Sequence, residues 1–389
     1  MLEPRKPALD HHEWSTFAMA RVEHITIQSE RPQTIGQLFD RFMAWARCYY
    51  RKPSTRRPTG TAEHFVSALR PLLQLAEDRA IEEMTAELLI DAQQRMIRLG
   101  WSRKYVNVCV NKIRYVFRWG AQPPRRYVSA TLVADLAIVD PLRPGRSPAK
   151  ENQPVRPADE ALINGMLQHV SSVVRAMIQL QLLTGMRPGE VVIMRACDID
   201  RTRRPWVYRP VEHKTQHHGK DRVVTFGPRA ERIIKPFVRR RAARAYLFSP
   251  QEATQEWLQI RYWSRLTPAA WGNTVGTNRV EDPKRSPGDR YTVTSYCRAV
   301  QRGCDRAYPH PTLEAKKPLT DEERKELARW RCDHRFTVNQ LRHTAATIIR
   351  RDFGLDAARA VLGHTTPATT AIYAEVDQSR VRQVMLEVG

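Results

Sequence analysis

Apolar residues recur at helical spacing through most of this chain, and that period predicts a largely helical protein. Thr34 is a suitable N-cap, and after it Ile35, Leu38, Phe39, Phe42 and Trp45 share one face, which predicts a helix over 34–48. Similar patterns cover about 61–77, 85–99 and 102–119, and 125–139 adds one more. Within 102–119, Val106, Val110, Ile113, Val116 and Phe117 make the apolar face. Arg103, Lys104, Lys112, Arg114 and Arg118 crowd the other positions. Residues 1–33 have no clear period and read as an N-terminal arm. Residues 51–60 form a basic, Pro- and Gly-containing loop that carries Arg56 and Arg57.

Residues 140–156 contain four prolines and several charges, and they read as a linker. The pattern then changes. Helices are predicted at 157–169 and 171–183. Trp206–Arg209 and Arg222–Phe226 alternate like short strands around a polar turn, which predicts a hairpin. Helical stretches follow at about 228–243, 292–307, 320–331, 337–351, 355–361 and 367–385. Residues 250–290 are rich in Trp, Pro, Gly, Asn and charge and give no readable period. The expected fold is mainly α with a small β-hairpin or sheet. It comprises a helical domain over 34–139, then a mixed α+β domain over 157–389.

Charge narrows the partner. The chain has 64 Lys+Arg against 41 Asp+Glu, a formal +23. Such a surplus favours a polyanion, because cations placed beside phosphates release condensed counterions. Nucleic acid leads, and an anionic membrane surface is the runner-up. The longest apolar runs, such as Ala176–Leu183, are too short to span a bilayer, and Met1–Leu9 lacks the apolar core of a signal peptide. The six cysteines are scattered without a CxxC pair, so reduced thiols are expected rather than a disulfide framework or a zinc site. These features place the protein in the cytoplasm.

Four separated pieces carry candidate chemistry. Thr184-Gly185-Met186-Arg187-Pro188-Gly189-Glu190 ends one helix at Gly185 and starts another at Pro188. Such a turn presents the Arg187 guanidinium with Glu190 one turn on to hold it. His213–Arg222 is a basic turn between the two strands and includes Lys214. Its three histidines (His213, His217 and His218) lack a fourth ligand for a defined metal site. Asn339–Thr347 lies in a helical pattern with Leu341, Ala345 and Ile348 inward. This puts Arg342 and His343 beside a buried stripe, where an Arg needs a carboxylate or phosphate. Leu362-Gly363-His364-Thr365-Thr366-Pro367 joins two helical segments, with Tyr373 nine residues after His364. Taken singly, these pieces read as a helix corner, a solvated hairpin tip, a structural salt bridge and an amphipathic contact. Their joint occurrence in this order, in so basic a chain, points to phosphate chemistry.

On these motifs the chain resembles the tyrosine recombinases, the phage integrase family. The matching pieces are TGMRPGE around Arg187, the hairpin Lys214, LRHTAAT around Arg342, and LGHTTPATTAIYA from His364 to Tyr373. The resemblance covers about 184–373, and the helical region 34–139 fits the family's core-binding domain by pattern. It implies that Tyr373 attacks a scissile phosphate to form a 3′-phosphotyrosyl link, without ATP, metal or other cofactor. Arg187 and Arg342 would clamp the non-bridging oxygens. Lys214 would give a proton to the departing 5′ oxygen, His364 would hydrogen-bond the phosphate, and Glu190 would orient Arg187. Double-stranded DNA is the implied partner, with a homotetramer assembled on paired DNA sites. Arg56, Arg57, Arg103, Lys104, Lys112 and Arg114 are candidate DNA contacts.

Two departures stand out. Asn339 occupies the position where the family usually has a histidine, and Asn cannot shuttle a proton at neutral pH. His343 and His334 are nearby substitutes. The span 250–335 is longer than the family requires and reads as an insertion. A type IB topoisomerase and a DNA-binding relative without catalysis are the alternative readings.

Overall fold

The computed structural model describes residues 31–51, 56–213, 221–271, 287–313, 318–363 and Leu386. The chain divides into two compact units between Pro154 and Val155.

In the first unit, Thr34 caps α1 (Ile35–Tyr49). Its side chain accepts the Gln37 N–H at 3.2 Å, and the Gln37 side chain reaches back to the Thr34 N–H at 3.4 Å. This reciprocal box satisfies N–H groups that a helix start otherwise leaves open. α2 (Thr61–Ala76), α3 (Ala86–Arg98), α4 (Arg103–Ala121) and α5 (Ala130–Ala137) follow. Phe42 joins them at the centre. Its ring meets Phe65 edge-on at 4.7 Å and Trp119 at 5.3 Å. The proline-rich stretch after α5 is held to α4. Asn107 donates to the Leu142 carbonyl at 3.0 Å and accepts the Leu142 N–H at 2.9 Å, and the Arg103 N–H donates to the Lys150 carbonyl at 2.9 Å.

The second unit is built around α7 (Ser172–Thr184), whose Val173, Val174, Met177, Ile178 and Leu180 are buried. α6 (Glu160–Met166) precedes it and the short α8 (Pro188–Val192) follows. β1 (Ile199–Asp200), β2 (Trp206–Tyr208) and β3 (Val224–Phe226) form an antiparallel sheet in the order β1-β2-β3. The predicted hairpin is therefore widened by one strand, with Trp206 opposite Phe226 and Ile199 opposite Tyr208. α9 (Pro228–Arg239), α10 (Pro250–Trp263), α11 (Val293–Ala307), α12 (Asp321–His334) and α13 (Val338–Leu362) complete the described α-helices. α13 is two helical pieces joined at Gly354, whose φ of 87° breaks the helix. α10 lies in the stretch without a readable period. It buries no residue, and Glu256 ties it to the start of α7 by accepting the Ser172 N–H at 3.0 Å. Among the described residues no helix is long and apolar enough to cross a membrane.

Candidate active site

The corner between α7 and α8 presents Arg187. α7 stops at Gly185, whose φ of 60° is left-handed, and Pro188 starts α8 with a backbone angle already suited to a helix. Arg187 caps α8. Its backbone N–H donates to Glu190 Oε2 at 2.9 Å and its Nη1 donates to Oε1 at 2.9 Å. Glu190 is 2% exposed, whereas the Arg187 side chain keeps 23% of its surface. The carboxylate is thus enclosed and the guanidinium reaches the surface. Tyr208 on β2 fixes α8 from below, donating its hydroxyl to the Glu190 carbonyl at 2.7 Å.

A second cation meets the same carboxylate. Arg222 Nε lies 3.4 Å from Glu190 Oε1, and its side chain is only 5% exposed. Burial pushes the Glu190 carboxyl up, but Arg222 first, then the Arg187 N–H and guanidinium, outweigh it and hold it below its ordinary value. The pKa of Arg222 is drawn down by burial, with Glu190 opposing and Arg187 adding to the fall. A guanidinium still keeps its proton at any working pH. The sequence reading gave Arg222 no role. The signal was present, because Arg222 is in phase with the buried Val224 and Phe226 while Val223 and Thr225 face out.

Arg342 is buried at 5% exposure, more deeply than a place beside the apolar stripe implied. Leu341 and Ala345 point inward as expected, but Ile348 is only half-buried. Arg342 Nη1 donates to the Gly185 carbonyl and Nη2 to the Leu362 carbonyl at 2.8 Å. Arg342, 157 residues from Gly185 in sequence, thereby joins the α7–α8 corner to the end of α13. Close packing seals the joint, since a Cβ on Gly185 would meet Leu362 Cδ2 at 2.7 Å. His343 is half-buried, and burial followed by the Arg342 charge lowers its pKa, so the ring is neutral at neutral pH. Asn339 is exposed one turn before His343 on α13. His334 stacks on Trp330 at 3.7 Å, and its Nδ1 lies 2.9 Å from the Trp330 carbonyl. Arg187, Glu190 and Arg342 are therefore brought together around Gly185. Lys214, His364 and Tyr373 lie outside the described residues. Gly363, the residue before His364, closes α13 with a φ of 65°.

The Phage integrase family pattern matches residues 158–380, more than half of the chain. The chain belongs to the phage integrase family. It is accordingly a tyrosine recombinase, a DNA strand transferase. Its fold is similar to that of a Tn1549 transposon integrase fragment in complex with transposon right end DNA. The match has a TM-score of 0.54 and 16% identity, covering 91% of this chain and 99% of that one. It is also similar to a lambda integrase dimer bound to a COC′ core site, with a TM-score of 0.54, 12% identity, and 92% and 85% of the two chains covered. No curated protein matches the sequence. At these identities the likeness establishes the tyrosine-recombinase fold.

The candidate DNA contacts of this integrase-family chain fall into two groups. Arg56, Arg57 and Lys104 are exposed. Lys112 is half-buried with its ammonium 4.0 Å from the centre of the Phe65 ring. Arg103 instead pairs with Glu151 and donates to the Leu142 carbonyl at 3.3 Å. Arg114 donates to the Val139 carbonyl. These two guanidinium groups tie α4 to the chain that follows α5.

Proposed function

We propose that this chain is a site-specific recombinase that breaks and rejoins DNA through Tyr373, serving a mobile element. The Tyr373 oxygen attacks the scissile phosphorus as its hydroxyl proton passes to water. A new Tyr–O–P bond forms at the DNA 3′ end while the P–O5′ bond breaks. Lys214 protonates the departing 5′ oxygen, and the 5′-hydroxyl of a partner strand later reverses the step. Phosphate charge is met by Arg187 and Arg342, with His364 donating a hydrogen bond. A planar, permanently charged fork suits two phosphate oxygens better than an ammonium does.

The observation that carries this reading is the joint around Gly185. It holds one cationic fork at the surface, gripped by an enclosed carboxylate, and reaches Leu362, two residues before His364. Groups fixed before substrate arrives need not reorganise as charge develops, which is where electrostatic catalysis gains most. The partner is double-stranded DNA, met by the exposed Arg56, Arg57 and Lys104 and by the half-buried Lys112. The working assembly is a homotetramer on two paired sites, acting in the cytoplasm. Arg103 and Arg114 serve the fold of the first unit. The test is a nicked duplex on which the cleaved strand end diffuses away. Wild-type protein should become covalently attached to DNA, and Tyr373→Phe should bind the same duplex without attaching. Attachment by the Phe variant would reject the assignment.

A further inference from the structure

Arg222 has no part in the scheme above, yet it is among the most enclosed charges of the second unit. Enclosing a guanidinium is costly unless it is paired and hydrogen-bonded. Here Nε faces Glu190 and Nη1 donates to the Val361 carbonyl at 3.1 Å. Among the described residues Nη2 has no hydrogen-bond partner. A Cβ on Gly363 would meet Nη1 at 2.7 Å, so the turn that ends α13 is fitted around this side chain. Arg222 thus sits where the return strand of the hairpin, the carboxylate that grips Arg187, and the end of α13 converge.

One carboxylate between two guanidinium groups leaves a net positive charge. Without Arg222, Glu190 and Arg187 would form a closed neutral pair, and the surface fork would offer less charge to a phosphate. The carboxylate would also lose its second cationic partner.

We infer that Arg222 is a positioning residue for strand cleavage, acting through Glu190 on Arg187, with the Val361 carbonyl and the Gly363 turn holding its guanidinium in place. The inference rests on the strand-transfer reading. It assigns to the hairpin a contribution additional to that proposed for Lys214, delivered from a buried position two residues before β3.

The test compares wild type, Arg222→Lys and Arg222→Gln for the rate of covalent attachment to nicked duplexes tiling the DNA that flanks the gene. Duplex affinity and thermal melting are followed in parallel. Arg222→Gln should attach about 10- to 100-fold more slowly, the scale of a small misplacement at a reacting centre, with affinity nearly unchanged. Arg222→Lys keeps the charge and should recover part of the rate. It also supplies a folded comparison should the Gln variant melt early. In an Arg187→Lys background, adding Arg222→Gln should slow attachment by less than about threefold, because the residue it acts through is already altered. A full additional loss in that background overturns the inference, as does a Gln variant that attaches at the wild-type rate. Wild-type protein that never attaches would reject the strand-transfer reading itself.

Discussion

Glu190→Gln is the most informative change to the stability of the catalytic unit. The carboxylate is 2% exposed and accepts two bonds of 2.9 Å from Arg187, with Arg222 at 3.4 Å. Gln fits the same volume but carries no charge, and its amide group turns a donor toward donors. Removing one partner of a buried ion pair costs about 3–5 kcal/mol. Gln retains one acceptor oxygen, so the lower end, about 3 kcal/mol, is expected. For a unit of this size, that corresponds to a fall in Tm of roughly 6–12 °C. The pH dependence follows from the lowered pKa. The Glu190 carboxyl titrates below its ordinary value of 4.5 in the folded protein. Its contribution is therefore complete above the unfolded value and is lost as pH falls through the folded one. Urea unfolding of wild type and variant should show a constant gap from neutral pH down to about pH 5, closing in stronger acid. A gap under about 1 kcal/mol at neutral pH, the scale of an exposed ion pair, would mean that Glu190 does not act as an enclosed ion-pair partner. A gap unchanged at about pH 3 would mean the same.

Four further outcomes are expected. Gly363→Ala places a Cβ at φ 65° and 2.7 Å from Arg222 Nη1, so it should cost about 1–3 kcal/mol by urea unfolding and slow covalent attachment. Lys104→Ala should lower the slope of log affinity against log salt by about one for duplex DNA. Arg103→Ala should leave that slope unchanged and destabilise the first unit instead, because its guanidinium is bonded to Glu151 and Leu142. Asn339→His should raise the cleavage rate if a base is missing there, and an unchanged rate would sink that idea.

Much of the fold was legible because its helices bury one stripe. α1 and α4 show it, and the Thr34–Gln37 box marks where α1 begins. α10 was not legible because no residue on it is buried, so no apolar period exists to be read. β1 was missed because two residues cannot display an alternation. In the site, the Arg187–Glu190 grip followed from spacing alone, since a residue three positions into a helix can reach back to its cap. Arg342 was identified, but its partners were not. They are backbone carbonyls brought in from 157 and 20 residues away, which no local pattern reports. The same limit explains Arg103 and Arg114, whose acceptors lie 48 and 25 residues along the chain. A basic helix face does not reveal which of its cations already serve the fold. Arg222 differs, because its place in the strand alternation declared it inward. A charge in that phase demanded a carboxylate, and Glu190 was the one already in view.

The proposed strand transfer needs a covalent bond between Tyr373 and a DNA 3′ end, and peptide mapping of the trapped adduct reads that bond. After nuclease trimming and proteolysis, the nucleotide remnant should lie on the peptide containing Tyr373, joined through a 3′-phosphate. A remnant on any other residue, or one joined through a 5′-phosphate, would rule out attack by Tyr373 with a 3′-phosphotyrosyl link.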